Sequence, residues 1–461
     1  MTRRIIIDPI TRLEGHGKIE IRLGSGGQVD RAFFQVPDFR GFEKFCEGRA
    51  AEEMPTLTQK ICGVCPPAHH IASVKALDDL FDVEPTEAAK KIRELMHTAF
   101  IYEDHLLHFF YLGGPDILVG SDDKRFGKNI FGVIGKLGER IGEEVIEIRK
   151  RVRGLNALVS GSPLYPVCGL PGGVSKPVPE EERIGIKEIA RDALAFARRC
   201  LKIFEEEVLE SREYVDLTHL DAYSLETYYM GMVDGNNRVS FYDGEIRIVD
   251  PEGGEFEKFG AIDYLHHLEE RVDTWSYMKT LYLKGVGWHG LREGKESGLY
   301  RVGPLARLNA SEGLATPLAQ QEYERMFDVC GGKPVHNTLV YHWARLIEVL
   351  YAAERMGEIA VDDQLTDPEI RNIPVQSPRK GVGICEAPRG TLIHHYETDE
   401  AAILKRLNLL VATQNNAGAI SLSVLKAARA FIKEGRVSDL ILNRIEMGYR
   451  AYDPCMACAT H

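Results

Sequence analysis

Two pairs of cysteines stand near opposite ends of this sequence of 461 residues. One pair is Cys62 and Cys65, and the other is Cys455 and Cys458. Cys458 lies three residues before the last position. Two residues separated by three positions face the same side of a helix or turn and can share a metal ion. Four thiolates form a soft site that suits zinc, an iron–sulfur cluster or another thiophilic metal. The spacing therefore predicts a metal centre that joins the two ends of the chain.

A structural zinc site is the simplest alternative for these four cysteines. Zinc ribbons usually place their two pairs about 15–20 residues apart, whereas nearly the whole chain separates the pairs here. The odd total of nine cysteines argues against a disulfide framework. The remaining cysteines lack cluster spacing and are interpreted as small buried apolar residues: Cys46, Cys168, Cys200, Cys330 and Cys385.

Periodic patterns indicate the elements that must position these pairs. Ile19, Ile21 and Leu23 alternate with charged residues, which predicts a strand that a turn connects to a returning strand around 32–36. A second β region is predicted at about 225–249, with its turn at 234–237. Helices are predicted at about 87–112, 126–153, 182–212, 338–357, 400–414 and 437–449.

These elements predict an α+β fold with a mainly helical core, a bundle of long helices, and small peripheral antiparallel sheets. We expect a single large unit over residues 1–461. Within it we expect an N-terminal β portion at about 1–40, a helical core at about 45–215 and 310–461, and a β insertion at about 220–250.

The composition excludes several classes of function. The net charge is −12, and no basic cluster with interleaved aromatic residues occurs, so nucleic acid is not an expected partner. No window approaches the ~20 apolar residues of a membrane span. Only three apolar residues lie between the first arginines and Asp8, whereas a secretory signal needs an apolar stretch of ~7–15 residues. We therefore expect a cytoplasmic location without a membrane span. No nucleotide-binding glycine motif and no second cysteine array occurs.

Five motifs resemble those of the large subunit of nickel–iron hydrogenases. They occur in the order of that family and extend from residue 12 to the last residue, so the resemblance covers essentially the whole chain. The motifs are Arg12-Leu13-Glu14-Gly15-His16, Arg40-Gly41-Phe42-Glu43, Ile61-Cys62-Gly63-Val64-Cys65-Pro66-Pro67-Ala68-His69-His70, Glu386-Ala387-Pro388-Arg389-Gly390 and Asp453-Pro454-Cys455-Met456-Ala457-Cys458-Ala459-Thr460-His461.

The resemblance implies that all four thiolates bind nickel. Cys65 and Cys458 would also bridge to an iron that carries CO and cyanide, while Cys62 and Cys455 would bind nickel alone. A bound metal keeps such sulfurs deprotonated, so a terminal thiolate can act as a base.

A second metal ion is implied by Glu43 and His461, which match the family's ligands for a hard ion near the C-terminus. That ion is usually magnesium, which prefers carboxylate oxygens and water. Because histidine is a softer ligand, another divalent ion such as iron also fits.

Other site residues follow from the same motifs. Glu14 matches the family's proton-relay carboxylate, which accepts the proton that heterolytic cleavage of H2 releases. Arg389 matches an arginine over the metal pair, where its fixed donors suit anionic cyanides and carboxylates. Asp104 and Asp453 match the acidic partners of that arginine.

Two residues match hydrogen-bond donors toward the metal centre and its ligands. His69 matches a donor to a bridging sulfur, and Thr413 matches a hydroxyl bonded to cyanide.

The resemblance thus implies reversible heterolytic cleavage of H2 in the cytoplasmic, multi-subunit branch of the family. The chain lacks cysteines for iron–sulfur clusters, so an obligate iron–sulfur small subunit is expected to receive the electrons, together with further flavin- or cluster-bearing subunits. NAD(P), ferredoxin, a deazaflavin and a disulfide all remain open as acceptors. A non-hydrogenase relative and a zinc-clamped structural subunit of a redox complex are the alternatives.

Overall fold

The computed structural model describes residues 3–120, 125–376 and 379–461. In the described part, the longest helices are α4, α7, α8 and α13, each of about 21–25 residues. The helices are α1 (Phe42–Cys46), α2 (Met54–Leu57), α3 (Pro66–Leu80), α4 (Glu87–Tyr111), α5 (Pro115–Leu118), α6 (Ile130–Leu137), α7 (Glu139–Ser160), α8 (Arg183–Phe204), α9 (Arg212–Thr218), α10 (Tyr264–His267), α11 (Pro304–Ala310), α12 (Pro317–Val329), α13 (Tyr341–Val361), α14 (Ala412–Asn415), α15 (Ala417–Phe431), α16 (Asp439–Arg450) and α17 (Met456–Ala459).

The strands form several small sheets around and within this helical framework. They are β1 (Arg3–Ile7), β2 (Lys18–Leu23), β3 (Val29–Gln35), β4 (Gly169–Leu170), β5 (Gly173–Val174), β6 (Tyr228–Val233), β7 (Glu245–Val249), β8 (Glu255–Phe259), β9 (Leu268–Arg271), β10 (Thr280–Leu283), β11 (Tyr300–Arg301), β12 (Lys380–Ala387), β13 (Gly390–Thr398) and β14 (Leu404–Leu410). The sheet orders are β1-β2-β3, β4-β5, β11-β6-β7-β8, β10-β9 and β12-β13-β14. Neighbouring strands are antiparallel except for the parallel pair β11 and β6.

The core forms where α4 and α13 pack against each other and against α7 and α8. Thr86 directly precedes α4, and its side chain accepts the N–H of Ala89 and so caps the first turn. Most residues of α4 and α13 are buried. These two helices therefore carry buried polar side chains into the interior, where such groups need partners.

The sheet β12-β13-β14 packs against α3 at unusually short range. A Cβ atom at Gly383 would lie 2.0 Å from the carbonyl oxygen of Ala72, and one at Gly381 would lie 2.2 Å from that of Ala76. Only glycine allows the helix and the strand to approach this closely. The close approach brings α3, which begins just after Cys65, against the hairpin that carries Arg389.

The α+β prediction with a mainly helical core is confirmed, and the division into portions stays a prediction. The turn at 234–237 connects β6 to the β7 region as predicted, because the N–H of Asn237 donates to the carbonyl of Asp234. The helix predicted over 126–153 is interrupted at Gly138, whose φ is 93°. The helix predicted over 400–414 is wrong: this segment forms β14 and the short α14. Its run of leucines fits both helical and strand spacing, and pairing with β13 decides the outcome.

Candidate metal centre

The four cysteines of the two pairs converge in the interior. Their Sγ atoms all lie within 4.8 Å of one another, and all four side chains are buried. The Sγ–Sγ distance is 3.4 Å between Cys62 and Cys455 and 3.1 Å between Cys65 and Cys458. A disulfide bond measures about 2.05 Å, so these are separate thiols. The chemistry of the donor set suits a thiophilic metal.

Each pair stands at the start of a helix. Cys65 directly precedes α3, and Cys455 directly precedes α17. The backbone N–H groups of Val64 and Cys65 both donate to Cys62 Sγ at 3.2 Å. Such N–H groups stabilise negative charge on sulfur.

The N-terminal segment is joined to the last residues of the chain. Glu14 and Cys455 form an isolated parallel bridge, and the N–H of Met456 donates to the carbonyl of Glu14 at 2.8 Å. Gly15 adopts φ +82°, and a Cβ atom there would lie 2.9 Å from Met456 Cβ. Glycine is therefore required for both the backbone conformation and the contact.

The Glu14 carboxylate contacts one of the four sulfurs. Cys455 Sγ donates to Glu14 Oε2 at 3.0 Å, and the N–H of Ala457 donates to the same oxygen at 3.0 Å. Burial raises the pKa of Glu14, and the charge at Cys62 raises it further, while these hydrogen bonds lower it.

The protein environment opposes ionisation of most of these thiols. Burial raises the pKa of Cys455 and of Cys458 well above the ordinary value. Burial also disfavours the thiolate of Cys62, but hydrogen bonds from the other thiols hold its pKa well below the usual range. A cation must therefore displace protons from the cluster when it binds.

Arg389 lies at the turn between β12 and β13 and is almost completely buried. Its Nη1 donates to Asp104 Oδ2 at 3.1 Å, and its Nη2 lies 3.0 Å from Asp453 Oδ2. Burial raises the pKa of Asp104 to about 7, against the lowering effect of Arg389. Asp453 adopts φ 59°, a strained conformation for a residue with a side chain. The three predicted residues thus form one buried ionic group.

A small cavity connects this ionic group with the cysteines. Its volume is about 20 Å³, so the cavity is narrow. Arg389 Nε is buried and lacks a hydrogen-bond partner among the described residues. The other lining side chains are mainly apolar: Cys65, Ala68, His69, Ala387, Leu392, Val411, Ala412, Thr413, Cys455 and Cys458. The cavity therefore suits small ligands that are partly anionic and partly apolar.

The two remaining predicted donors contact the cysteine segments. His69 Nε2 lies 3.4 Å from Cys458 Sγ, which fits the predicted hydrogen bond. Thr413 Oγ1 accepts the N–H of Cys455 at 2.9 Å, so Thr413 also holds the backbone of the second cysteine pair.

Glu43 and His461 meet beside the C-terminus. His461 Nε2 lies 3.3 Å from Glu43 Oε1, and the N–H of Leu409 donates to the same oxygen at 2.9 Å. His461 Nδ1 lies 2.8 Å from the carbonyl oxygen of Cys458. Burial disfavours the charged form of Glu43, but the contact with His461 outweighs it and lowers its pKa. The last side chain is thus held within the fold.

Two arginines that support the site were assigned no role from the sequence. Arg40 donates to the carbonyl of Ile61 and, at 3.3 Å, to that of Ala457, so it joins both cysteine segments. Arg307 donates to the carbonyls of Ala387 and Pro388, at 2.8 and 3.1 Å, and fixes the turn that bears Arg389. Arg40 stands within one of the five motifs, which was a signal, whereas nothing in the sequence marks Arg307.

Comparison with known proteins identifies the family of this chain. A family model described as nickel-dependent hydrogenase matches residues 40–120 and 288–461, and one described as HoxL-like matches residues 4–39. The chain is 44% identical over 460 residues to an F420-non-reducing hydrogenase iron-sulfur subunit from Archaeoglobus profundus, in a match that covers 100% of this chain and 94% of the relative. It is 36% identical to the NAD-reducing hydrogenase HoxS subunit beta of Cupriavidus necator, in a match that covers 100% of this chain and 95% of the relative.

Solved structures extend the comparison to the fold. A crystal structure of an NAD+-reducing [NiFe]-hydrogenase in the H2-reduced state is similar over 100% of both chains, with a TM-score of 0.90 and 36% identity. The fold is therefore that of a nickel–iron hydrogenase large subunit. The chain belongs to the nickel-dependent hydrogenase family and is the catalytic chain of an oxidoreductase that acts on H2. In the part of the chain that the structure describes, no helix is both long and apolar enough to span a membrane.

Proposed function

We propose that Cys62, Cys65, Cys455 and Cys458 hold the nickel–iron centre, with Cys65 and Cys458 bridging to the iron and the other two binding nickel alone. The observation that carries the proposal is the approach of four buried sulfurs to within 4.8 Å of one another. These sulfurs come from both ends of the chain, and thiolates are the ligands that such metals prefer.

The cavity below Arg389 would hold the CO and cyanide ligands of the iron. The apolar lining from Ala68, Leu392 and Val411 suits CO, which forms weak hydrogen bonds at best. The unpartnered Arg389 Nε and the hydroxyl of Thr413 suit the anionic cyanides, because a buried cation needs nearby negative charge.

When bound, the nickel–iron centre would polarise H2, so that heterolytic cleavage releases one proton and leaves a hydride equivalent, which carries the two electrons and the second proton. Glu14 accepts the proton, since its Oε2 lies within hydrogen-bond reach of Cys455 Sγ. The N–H of Ala457 holds that carboxylate in place. Asp104 and Asp453 keep the Arg389 guanidinium oriented over the cavity.

A second divalent ion, magnesium or another metal such as iron, binds between Glu43 and His461. The convergence of a carboxylate and an imidazole within 3.3 Å supports this part of the proposal. The ion would hold the last residue of the chain beside the second cysteine pair.

The electrons leave through an iron–sulfur small subunit, from which they pass to further flavin- or cluster-bearing subunits in the cytoplasm. Among the described residues, the five cysteines outside the centre form no further group that could hold a cluster. The similar subunits from Archaeoglobus profundus and Cupriavidus necator are named as parts of F420-non-reducing and NAD-reducing hydrogenases. Assays of the purified complex with H2 and NAD(P), ferredoxin, a deazaflavin or a disulfide identify the acceptor.

Metal analysis of matched cysteine variants tests the proposed centre. Matured wild-type protein should contain nickel and iron, and Cys65→Ala should lose both. Cys168→Ala is the control, because Cys168 is equally buried but lies outside the cluster. Stoichiometric zinc without nickel in the matured wild type would instead support a structural zinc site and contradict the proposal.

A further inference from the structure

A chain of buried polar side chains leads away from the cysteine centre, behind His69. His69 Nδ1 lies 3.1 Å from His394 Nε2, and His394 Nδ1 lies 2.7 Å from the Tyr396 hydroxyl. The Tyr396 hydroxyl lies 2.7 Å from Ser73 Oγ. At the other end, His69 Nε2 lies 3.4 Å from Cys458 Sγ. Five residues are thus connected from a sulfur ligand into the core.

The packing of α3 on β13 produces this chain. His69 and Ser73 are four residues apart on α3, and His394 and Tyr396 are two residues apart on β13. Four helical residues advance about 6.0 Å, and two strand residues advance about 6.7 Å. The spacing of the two residues on the helix therefore matches the spacing of the two on the strand. As a result, His69 faces His394 and Ser73 faces Tyr396.

Each hydrogen bond in this row of side chains fixes which atom donates and which accepts in the next. A metal-bound Cys458 sulfur has no hydrogen and can only accept, so His69 must carry its hydrogen on Nε2. A neutral imidazole has one donor and one acceptor, which makes His69 Nδ1 an acceptor and requires a hydrogen on His394 Nε2. His394 Nδ1 must then accept a hydrogen, and the Tyr396 hydroxyl is its neighbour.

The Tyr396 hydroxyl determines in which direction the hydrogen bonds of these linked side chains are donated. Its single hydrogen has two acceptors at the same distance, His394 Nδ1 and Ser73 Oγ. Donation to Ser73 would require His394 Nδ1 to donate, and the lone pair of His69 Nε2 would then face the sulfur. This arrangement suits a protonated Cys458 thiol, which can donate its hydrogen to His69 Nε2. Donation to His394 suits a metal-bound sulfur, and Tyr396 then gives up the donation to Ser73 that the structure records.

We propose that Tyr396 is a positioning residue which, through His394, holds the N–H of His69 toward the bridging sulfur of Cys458. The inference rests on the proposed function, because it requires Cys458 to bind metal. All members of the chain are buried, so water does not compete for these hydrogen bonds. Burial also lowers the pKa of His394 well below its ordinary value, which keeps this imidazole neutral.

The infrared spectrum of the matured hydrogenase complex measures the effect directly. A hydrogen bond to the bridging sulfur withdraws electron density from it and from the iron. Its loss should increase donation into the antibonding orbitals of CO and cyanide, so their stretching bands should move to lower wavenumber. His69→Ala defines this shift, and Tyr396→Phe should move the bands in the same direction.

Tyr264→Phe is the matched control. The Tyr264 hydroxyl lies 2.8 Å from Nδ1 of His395, the residue after His394 on the same strand, whose side chain points to the other face of the sheet. This variant removes the same hydroxyl from the same kind of partner without touching the chain to Cys458. Its bands should stay at the wild-type positions.

A double variant tests whether Tyr396 acts through His69. Tyr396→Phe should add no shift once His69→Ala is present, because coupled residues are non-additive. Wild-type bands in Tyr396→Phe, or a full additional shift in the double variant, would overturn the inference.

If Tyr396→Phe does not mature, two variants of His394 decide the question. His394→Gln can donate to His69 and accept from Tyr396, so its bands should lie near the wild type, whereas His394→Leu should shift them. Equal band positions in His394→Gln and His394→Leu would overturn the inference. Absence of CO and cyanide bands from the wild type would overturn the proposed function instead, and this inference with it.

Discussion

Two buried arginines, one on a turn and one that binds the carbonyls of the same turn, show how scaffold and site differ in this protein. Arg307 donates to Glu348 at 2.6 and 2.7 Å and to Glu386 at 2.6 Å, besides the carbonyls of the turn. Arg389, on the turn itself, retains an unpartnered Nε, and Asp104 Oδ1 beside it is also unpartnered among the described residues. Both arginines are almost completely buried.

The difference separates the roles of the two groups. A fully hydrogen-bonded buried network fixes a structure, whereas a buried polar atom without a partner needs an explanation. Around Arg389, the ligand that we propose in the cavity against the cysteines would supply that explanation. The Arg307 guanidinium, whose three nitrogens all donate hydrogen bonds, keeps the turn that bears Arg389 in place.

The largest expected effect tests the scaffold side of this comparison. Arg307→Met leaves Glu348 and Glu386 buried without their cation, so the free energy of unfolding should fall by about 3–5 kcal/mol. Chemical denaturation measures this change. Arg325→Met is the control, because Arg325 is partly exposed and its ion pair with Glu205 is worth about 1 kcal/mol or less. Equal losses in the two variants would remove the distinction between the networks.

Glu14→Gln tests the role of the metal-centre residues in this comparison. The substitution keeps the shape and hydrogen bonding of the side chain but removes the basic carboxylate, so turnover should fall by ~10²–10⁴ while the metals remain bound. Hydrogen–deuterium exchange and dye reduction with H2 should both collapse. Glu20→Gln, in the neighbouring strand β2, should change neither rate. Near-normal rates in both assays for Glu14→Gln would make Glu14 a structural residue.

Arg389→Lys should have a smaller effect on turnover. Lysine keeps the charge but lacks the planar set of donors, and loss of one preorganised donor costs about 10²-fold. Dye reduction should fall while proton exchange continues, because Glu14 is unaltered. Loss of exchange to the same extent would instead place Arg389, with Asp104 and Asp453, on the proton route.

Deletion of His461 should produce the smallest of these effects on the fold, yet one above that of a surface change. The deletion removes the contacts with Glu43 and with the carbonyl of Cys458. The free energy of unfolding should fall by more than the ~1 kcal/mol of an ordinary substitution, and the second ion should be lost. His16→Ala, which alters an exposed histidine, should leave both unchanged. An unaltered content of the second ion after deletion would contradict its assignment to His461.

The sequence predicted most of the site because the site is built from short motifs. The spacing within Cys62–Cys65 and Cys455–Cys458 predicted a shared metal site, and the structure brings these pairs together. Helix α4 was predicted almost to the residue, because its apolar periodicity is long.

Other features depend on contacts between distant segments, which no local pattern records. Strand β14 was predicted as a helix because its leucines fit both spacings, and only pairing with β13 makes it a strand. The roles of Arg307, His394 and Tyr396 arise from the register of one element on another. His394 and Tyr396 form an ordinary alternating pair in the sequence, and their connection to Cys458 exists only after α3 packs on β13.

The infrared spectrum of the matured complex tests the central claim most directly. If the four cysteines and the cavity below Arg389 hold an iron with CO and cyanide, the wild type should show the stretching bands of metal-bound CO and cyanide. Cys65→Ala should lose these bands, and Cys168→Ala should keep them. A matured wild type that cleaves H2 without any such bands, or a Cys65→Ala variant that retains them, would contradict this account of the site.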